Sequence, residues 1–453
     1  MIRSLFFDKE FYKKLVSIAL PISLQNLISS SLNMVDTVMI GQLGETSIAS
    51  VGIANQVFFF FVLLLFGLNS GSAIFISQYW GKRDIINIRR VLGFAVVSGV
   101  FISVIFTVAA LFFPEEILSL FSKDNSVIEL GRQYLVIICF SYIITSITFS
   151  YSFASRSIGK AKLPMIVSAI SLGLNTLLNY LLIFGNFGFP QLGVKGAAIA
   201  TLIARTVELV LLLSIIYSKG FVLDAKIKEM LDLSKEFIKK ILKTTTPVIL
   251  NEAFWSLGII TYSAVYGRIS TEAFASVQIS NTVQQVFMVV SMGVGNACAV
   301  MIGNSIGANE ESLAIDYAKR FSFITPIIGI IIGVFIVAFS PIILGFFDVS
   351  PVVRSNVEKI LIIFAIFMAF KVFNTTLIIG ILRGGGDTTF SLFLEAGSVW
   401  IVGVPLAIIG GHLLHLPVYW VVALVSLEEF VKALVGIPRI ISKKWLRNVI
   451  EDI

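Results

Sequence analysis

The sequence predicts an all-α integral membrane protein of twelve transmembrane helices, in two six-helix lobes related by a pseudo-two-fold axis along the membrane normal. Three observations predict this fold class: the apolar composition, the number of spanning stretches and an internal repeat. Hydrophobic residues make up 57% of the 453 residues and charged residues only 13%. The mean hydropathy is +0.94. Because a soluble domain carries roughly 25% charged residues, this composition excludes a soluble fold.

Apolar stretches of spanning length recur along the whole chain. A transmembrane helix needs about 20 mostly apolar residues, and twelve stretches, six in each half, meet this requirement. They lie near residues 15–40, 48–78, 91–113, 130–155, 163–184, 193–217, 240–267, 275–303, 320–345, 357–382, 390–410 and 416–437.

The two halves of the chain are copies of one another. When residues 21–81 are placed on 247–307, an offset of 226, 15 of the 61 positions are identical, among them Pro21/Pro247, Asn55/Asn281 and Gly81/Gly307. Further along, the offset increases by one and pairs Arg156 with Arg383. An even number of spans in each half inserts both halves the same way up, so the repeat is parallel. Two such lobes around a shared cavity are typical of transporters.

The repeat also sets the domain boundaries. We expect an N-terminal lobe over residues 1–218, an amphipathic cytoplasmic linker over 219–239 and a C-terminal lobe over 240–453. In residues 219–243, apolar side chains alternate with charges in a roughly helical pattern, which favours an amphipathic helix on the inner leaflet. A solvated connector is the alternative.

Basic residues predict the orientation in the membrane. The N-terminus, the loops after even-numbered spans and the C-terminus together hold 25 of the 34 Lys and Arg residues. The opposite side holds six, and three lie within spans. The positive-inside rule therefore predicts a multi-pass protein of the plasma membrane with both termini in the cytoplasm. The net charge of +7 is explained by topology and indicates no nucleic-acid partner.

The sequence carries no constellation typical of catalysis. Cys139 and Cys298 both lie in apolar stretches, which disfavours a disulfide framework and a thiolate metal site. His412 and His415 flank an external turn with no third ligand nearby. No nucleophile–base pair or phosphate-binding loop is present. We therefore expect a protein that is not an enzyme and that needs no cofactor.

Asp36 is the first ionisable residue that needs an explanation. A carboxylate at membrane depth costs roughly 2.5–3.5 kcal/mol on insertion scales. At helical spacing before it lie Asn33, Ser29 and Gln25, a polar stripe that favours a water-filled or protein-lined cavity. Desolvation would let Asp36 accept a proton, whereas a nearby Na⁺ would favour its ionised form. A structural hydrogen-bond anchor is the alternative.

Three other sets of polar residues, on spans 7, 5 and 8, are candidates. Glu252 on span 7 is either functional or a side chain that reaches the inner interface. Asn175 and Asn179 on span 5 share one helix face, where they could coordinate a cation or join helices. Gln278, Asn281, Gln284 and Gln285 make span 8 polar enough to form a cavity wall.

Several buried charges are expected to pair locally or to lie at the interface. Arg205 and Glu208 are three residues apart on span 6, a pairing distance. Glu428, Glu429 and Lys432 have pairing distances on span 12. Lys371 could extend to the interface from span 10, and no partner is predicted for Glu395 on span 11.

The motifs resemble those of the multidrug and toxic compound extrusion (MATE) family. They are the segment from Pro21 through Asp36 and Gly41 to Gln78-Tyr79-Trp80-Gly81, its copy from Pro247 and Glu252 to Gly307, and Arg383-Gly384-Gly385-Gly386-Asp387-Thr388. The resemblance covers essentially all twelve spans. It implies a V-shaped pair of six-helix lobes and export of bulky, often cationic, amphipathic compounds by antiport with Na⁺ or H⁺.

The resemblance also implies roles for single residues. Asp36 matches the span-1 acid of the family's N-lobe cation site, Asn175 and Asn179 match its span-5 positions, and Thr201 matches its span-6 position. Glu252 matches the span-7 acid of a C-lobe site. Two departures leave the coupling ion open: Asn179 stands where some members have Asp, and Val372-Phe373-Asn374-Thr375-Thr376 lacks the span-10 Asp of others.

These inferences predict a secondary active efflux antiporter that works by alternating access. Asp36, Asn175, Asn179 and Thr201 would bind the coupling Na⁺ or H⁺, with no other metal, while Glu252, Gln278, Asn281 and Gln284 would contact the substrate or a second ion. The expected partners are organic cations or amphipathic drug-like compounds and membrane lipid, and the chain is expected to be a monomer. The alternatives are a lipid-linked oligosaccharide flippase of the same superfamily, which would favour a basic cavity, and a major-facilitator exporter.

Overall fold

The computed structural model describes residues 8–345 and 349–451, apart from the side chains of Leu32 and Asn33. Over these residues the protein is helical, with no strand. The twelve long helices are α1 (Lys9–Gly41), α2 (Glu45–Lys82), α3 (Ile85–Phe112), α4 (Asn125–Ile138 and Phe140–Ser157), α5 (Lys162–Phe184), α6 (Val194–Ser218), α7 (Lys235–Ile269), α8 (Thr271–Gly307), α9 (Glu311–Leu344), α10 (Pro351–Arg383), α11 (Thr388–Leu413) and α12 (Val418–Ile441). Each corresponds to one predicted span, so the predicted fold class is confirmed.

Membrane-spanning length and hydropathy are reached by nearly all of these helices. Ten of the described helices are each long and apolar enough to cross a membrane, and the two pieces of α4, bent by 49°, are long and apolar enough together. The remaining helix, α12, is 24 residues long and apolar, but it carries three charged residues, Glu428, Glu429 and Lys432, in its middle. Of these three side chains, Lys432 pairs with both glutamates in the buried charge network described below.

The helices begin where a side chain can cap them. At the start of α3, the Asp84 side chain accepts a hydrogen bond from the backbone N–H of Asn87 at 3.1 Å. At the start of α8, the Ser270 side chain accepts one from the backbone N–H of Ala273 at 3.0 Å. Such caps satisfy backbone N–H groups that the first helical turn leaves without partners. The helices α10 and α11 contain π-helical segments, Thr376–Arg383 and Ser398–Gly403, which lie beside the buried charges.

The described residues form two compact units. One contains residues 8–23, 77–83, 240–345 and 349–451, and the other contains 24–76 and 84–239. Helices α1 and α2 therefore each contribute residues to both units. These units group the start of α1 and the end of α2 with the second half of the chain, an assignment that the sequence did not suggest.

The linker between the two halves is docked on α3. Arg89 donates to the Val222 carbonyl at 3.0 Å and pairs with Glu229 at 2.9 Å. A hydrogen bond from the Lys226 amide, together with Arg89, lowers the pKa of the Glu229 carboxyl. Residues 219–234 contain only one helical turn, Ile227–Met230. The expectation of an amphipathic helix across residues 219–243 is therefore wrong, because the backbone is held by contacts with α3.

The ends of α2 and α8 pack through equivalent residues of the repeat. A Cβ on Gly81 would overlap the carbonyl oxygen of Asn304, and a Cβ on Gly307 would overlap the carbonyl oxygen of Gln78. Gly81 and Gly307 are related by the 226-residue offset, and so are Gln78 and Asn304. The contact is therefore reciprocal, as in an isologous interface between identical subunits. Glycine is required on both sides because each backbone approaches the other directly.

The C-terminal segment that follows α12 packs against the same end of α2. Gln78 donates to the Arg447 carbonyl at 3.0 Å and accepts from the Val449 amide at 2.8 Å. The fully buried Asp387 pairs with Arg439 at 2.7 Å and with Arg447 at 2.9 Å. The Arg383–Asp387 motif thus anchors the chain terminus as well as ending α10.

Substitution of Gly81 tests the reciprocal contact. We expect Gly81→Val to lower the midpoint of thermal unfolding of the purified protein by several degrees, because overpacking costs about 1–3 kcal/mol and backbone atoms cannot rotate away. Gly52→Val is the matched control, since a Cβ added to Gly52, which lies on the same helix, would meet no described atom within 4 Å. Equal midpoints for the two variants would contradict the role assigned to Gly81.

Candidate cation site and buried polar networks

Asp36 lies among the three residues predicted to surround it. Asn179 on α5 donates from its amide nitrogen to Asp36 Oδ1 at 2.8 Å. Asn175, one turn earlier on α5, and Thr201 on α6 complete the group, and the two Asn side chains are buried. We call these four residues the Asp36 site. The side chain of Asn33, another member of the predicted polar stripe, lies outside the described part of the chain.

The hydrogen bonds of the Asp36 site determine what else it can hold. With its amide nitrogen facing the carboxylate, Asn175 donates to Asp36 at 3.2 and 2.8 Å and accepts from the Thr201 hydroxyl at 3.1 Å. Asn179 Oδ1 is buried and has no hydrogen-bond donor among the described residues. An unsatisfied buried acceptor is costly, and this one belongs to the residue that holds the carboxylate.

A hydrogen-bonded chain connects the helices behind this site. Arg156 on α4 donates to Gln25 Oε1 at 2.6 Å, and Gln25 on α1 donates to Ser168 Oγ at 2.8 Å. Ser168 on α5 donates to Glu208 Oε1 at 2.6 Å, and Arg205 pairs with Glu208 Oε2 at 2.9 Å on α6. The predicted pairing of Arg205 with Glu208 is confirmed. We call this chain the N-terminal polar network.

The second half of the chain contains a more highly charged counterpart. Arg383, only 2% exposed, pairs with Glu252 at 2.8 Å and with Glu395 at 3.7 Å. The amide nitrogen of Asn251 also donates to Glu395. The partner of Glu252 is thus an arginine at the end of α10. Glu395 interacts with Arg383 and Asn251, two partners that sequence spacing did not predict.

Helix α12 supplies the rest of this charged group. Lys432 pairs with Glu428 at 3.3 Å and with Glu429 at 3.5 Å, as helical spacing predicted. Tyr262 on α7 donates to Glu428, and Asn374 on α10 donates to Glu429 at 2.7 Å. Together with the residues around Arg383, these residues form the C-terminal charge network.

The two networks use equivalent positions of the repeat. Arg156 and Arg383 are 227 residues apart, Gln25 and Asn251 are 226 apart, and Ser168 and Glu395 are 227 apart. In both halves the side chain at the Gln25/Asn251 position donates to the side chain at the Ser168/Glu395 position. The repeat in the sequence showed that Arg156 and Arg383 are equivalent positions. The equivalent hydrogen bonds of Gln25 and Asn251 are seen only in the structure.

A cavity of about 100 Å³ lies beside the C-terminal charge network. Asn281 and Gln284 line it, as predicted for the polar face of α8, whereas Gln278 is exposed and does not line it. Lys371 also faces the cavity and donates to Gln284 Oε1 at 2.6 Å. The expectation that Lys371 extends to the interface is wrong, because it lies well within α10 and its ammonium group donates a hydrogen bond to a cavity-lining amide.

Double substitution tests the ion pair at the centre of the C-terminal network. Breaking a buried pair by removing one partner costs about 3–5 kcal/mol, so we expect Arg383→Met to destabilise the folded protein strongly. Adding Glu252→Gln should restore part of that loss, since one uncompensated carboxylate is then removed. Thermal unfolding of both single variants and the double variant measures the coupling. Strictly additive effects would contradict a direct interaction.

Comparison with known proteins agrees with this architecture. The sequence profile of the MatE family matches residues 21–181 and 247–409, two matches that begin 226 residues apart. The uncharacterized transporter YisQ of Bacillus subtilis (strain 168) is 24% identical over 443 residues, which cover 97% of this chain and 96% of YisQ. The probable multidrug resistance protein NorM of Thermotoga maritima is 25% identical over 408 residues, covering 88% and 86% of the two chains.

Solved structures show the same fold. The crystal structure of a MATE protein in complex with MaL6 superposes with a TM-score of 0.87 at 21% identity, covering 95% of this chain and 96% of that one. The twelve helices and the duplicated profile match therefore identify the chain as a member of the MatE family of multidrug and toxic compound extrusion transporters.

Proposed function

We propose that this protein is a secondary active antiporter that exports bulky cationic or amphipathic compounds in exchange for Na⁺ or H⁺ by alternating access. The observation that carries the proposal is the Asp36 site. A half-buried carboxylate is held there by two buried amides, one of which keeps an oxygen without a donor. The names of relatives such as the probable multidrug resistance protein NorM support drug-like substrates.

The oxygens of the Asp36 site suit a hard cation. Carboxylate, amide and hydroxyl oxygens are the ligands that such ions take in proteins, and Asp36, Asn179 and Thr201 supply one of each. A Na⁺ bound there would satisfy Asn179 Oδ1 as well as neutralise Asp36. A proton on Asp36 would neutralise the carboxylate but would leave that amide oxygen unsatisfied unless the protonated carboxyl turned towards it.

Ion binding would act on helix packing. Asp36 is on α1, Asn175 and Asn179 are on α5, and Thr201 is on α6, so an ion at the site changes contacts among three helices. The ion can shift the transport cycle only by its different affinity for the two end states. The N-terminal polar network joins the same three helices to α4 and would transmit the change.

The C-terminal half would contact the substrate. Asn281 and Gln284 line the cavity beside the C-terminal charge network, so they are the proposed substrate contacts on α8. Glu252 is engaged by Arg383, and a substrate cation or second ion would have to compete with that guanidinium. The major-facilitator alternative is set aside by the family match, whereas a flippase of the MATE superfamily is distinguished by the transport experiment below.

Transport in liposomes tests the antiporter directly. We expect purified protein in liposomes to drive efflux of a fluorescent organic cation when a Na⁺ gradient or a pH gradient is imposed separately. One gradient should be sufficient, and its identity names the coupling ion. Failure of both gradients with every cation tested, together with scrambling of a lipid-linked sugar, would favour the flippase.

Substitution of Asp36 tests the site. We expect Asp36→Asn to abolish gradient-driven efflux while the protein stays folded, because the neutral amide neither takes up a proton nor balances the charge of Na⁺. Glu45→Gln is the matched control, since Glu45 is an exposed carboxylate at the start of α2. Full coupled efflux by Asp36→Asn would exclude Asp36 as the coupling residue.

We further propose that the protein lies in the plasma membrane with both termini in the cytoplasm and acts as a monomer. The asymmetry of basic residues supports this orientation. Cys139 and Cys298 are both buried, so an added cysteine would be the main reactive thiol. A membrane-impermeant maleimide should label Ser126→Cys in intact cells but Ser442→Cys only after permeabilisation. The reverse pattern would invert the topology.

A further inference from the structure

The C-terminal segment, residues 442–451, connects α2 of the first half of the chain to the turn between α10 and α11 in the second half. The Arg447 amide donates to the Gly385 carbonyl of that turn at 2.8 Å. The buried Trp445 ring lies so close to Gly385 that a Cβ there would overlap it. Asp387, in the same turn, pairs with Arg447 at 2.9 Å. The segment is therefore fixed to the second half by backbone, ring and charge.

The connection to α2 consists of one side chain. Gln78, fully buried near the end of α2, donates to the Arg447 carbonyl at 3.0 Å and accepts from the Val449 amide at 2.8 Å. The nitrogen and the oxygen of this side-chain amide are thus both used by the segment. Because a buried amide that loses its partners is costly, Gln78 holds α2 to the segment.

Within the described residues, the repeat has no second connection of this kind. The equivalent of Gln78 is Asn304 on α8, 226 residues later. Asn304 Oδ1 has no hydrogen-bond donor in the described part of the chain. The linker that follows α6 in the first half is docked on α3 instead, through Arg89. The reciprocal contact between α2 and α8 is therefore reinforced on the α2 side alone.

We propose that the C-terminal segment is a latch: it holds the ends of α2 and α8 together and must release Gln78 before those ends separate. The proposal rests on the alternating-access cycle proposed above, in which helices from different halves part at one face of the membrane. Because the segment is fixed to the second half, α2 cannot leave α8 without breaking both hydrogen bonds of Gln78. The latch therefore favours the state in which the two helix ends touch, and it sets how often they open.

Ser77 offers a probe of this contact. It is 4% exposed, and a Cβ on Gly303 of α8 would lie 2.7 Å from its Cβ. Cysteine is close to serine in size, so Ser77→Cys keeps the packing. Its thiol reacts with a water-soluble maleimide only while the ends of α2 and α8 are apart. Cys139 and Cys298 are buried, so their labelling reports unfolding of the whole protein.

Labelling rates of the purified full-length protein, without substrate or ion gradient, test the latch. In the Ser77→Cys background we expect Gln78→Leu to speed labelling at least tenfold, because both bonds to the segment are lost while the helix is kept. Deletion of residues 443–453 should speed labelling at least as much. Asn304→Leu is the matched control, since it is a similar change at the equivalent position of the repeat, and it should leave the labelling rate unchanged.

A parent-like labelling rate in both Gln78→Leu and the shortened protein would overturn the proposal. Equally faster labelling of Cys139 and Cys298 would overturn it as well, because the segment would then stabilise the fold in general and not this contact. The assay involves no transport, so the latch and the antiporter fail separately. A protein that gives the expected labelling rates but drives no efflux under either gradient would contradict only the antiporter.

Discussion

An arginine near the end of the fourth helix of each repeat is the constraint on which both polar networks depend: the half-buried Arg156 on α4 and the buried Arg383 on α10. A guanidinium away from water needs hydrogen-bond acceptors, and their absence would cost several kcal/mol. Arg156 takes an amide oxygen of α1 and Arg383 a carboxylate of α7. Each arginine therefore fixes the first helix of its repeat against the fourth, and the rest of each network extends from that connection.

The same backbone plan carries different charges in the two halves. In the N-terminal network the residue at the Gln25/Asn251 position meets a serine, whereas in the C-terminal network it meets a glutamate. Asp36 is left with amide and hydroxyl neighbours, while its repeat equivalent Tyr262 donates to Glu428. The two halves therefore share similar helical frameworks, and unlike side chains at equivalent positions give them different polar networks.

The unit that contains the C-terminal charge network also contains closely packed helix ends. Small residues allow helices within a membrane to approach until their backbones touch, as Gly81 and Gly307 do with Asn304 and Gln78. The docked C-terminal segment, held through Asp387 by Arg439 and Arg447, adds further contacts at the same end of the unit.

The sequence by itself determined the twelve helices and the repeat, because hydropathy and duplication are both readable along the chain, and the cost of a buried charge made Asp36 a candidate site residue. It also predicted the pairing of Arg205 with Glu208 and of Lys432 with its two glutamates, since those residues lie within one helical turn. Only the tertiary structure decided that Glu252 meets Arg383, that Glu395 meets Asn251 and that Lys371 faces a cavity. These contacts join residues more than 80 positions apart, and helical periodicity carries no information about which faces of distant helices meet.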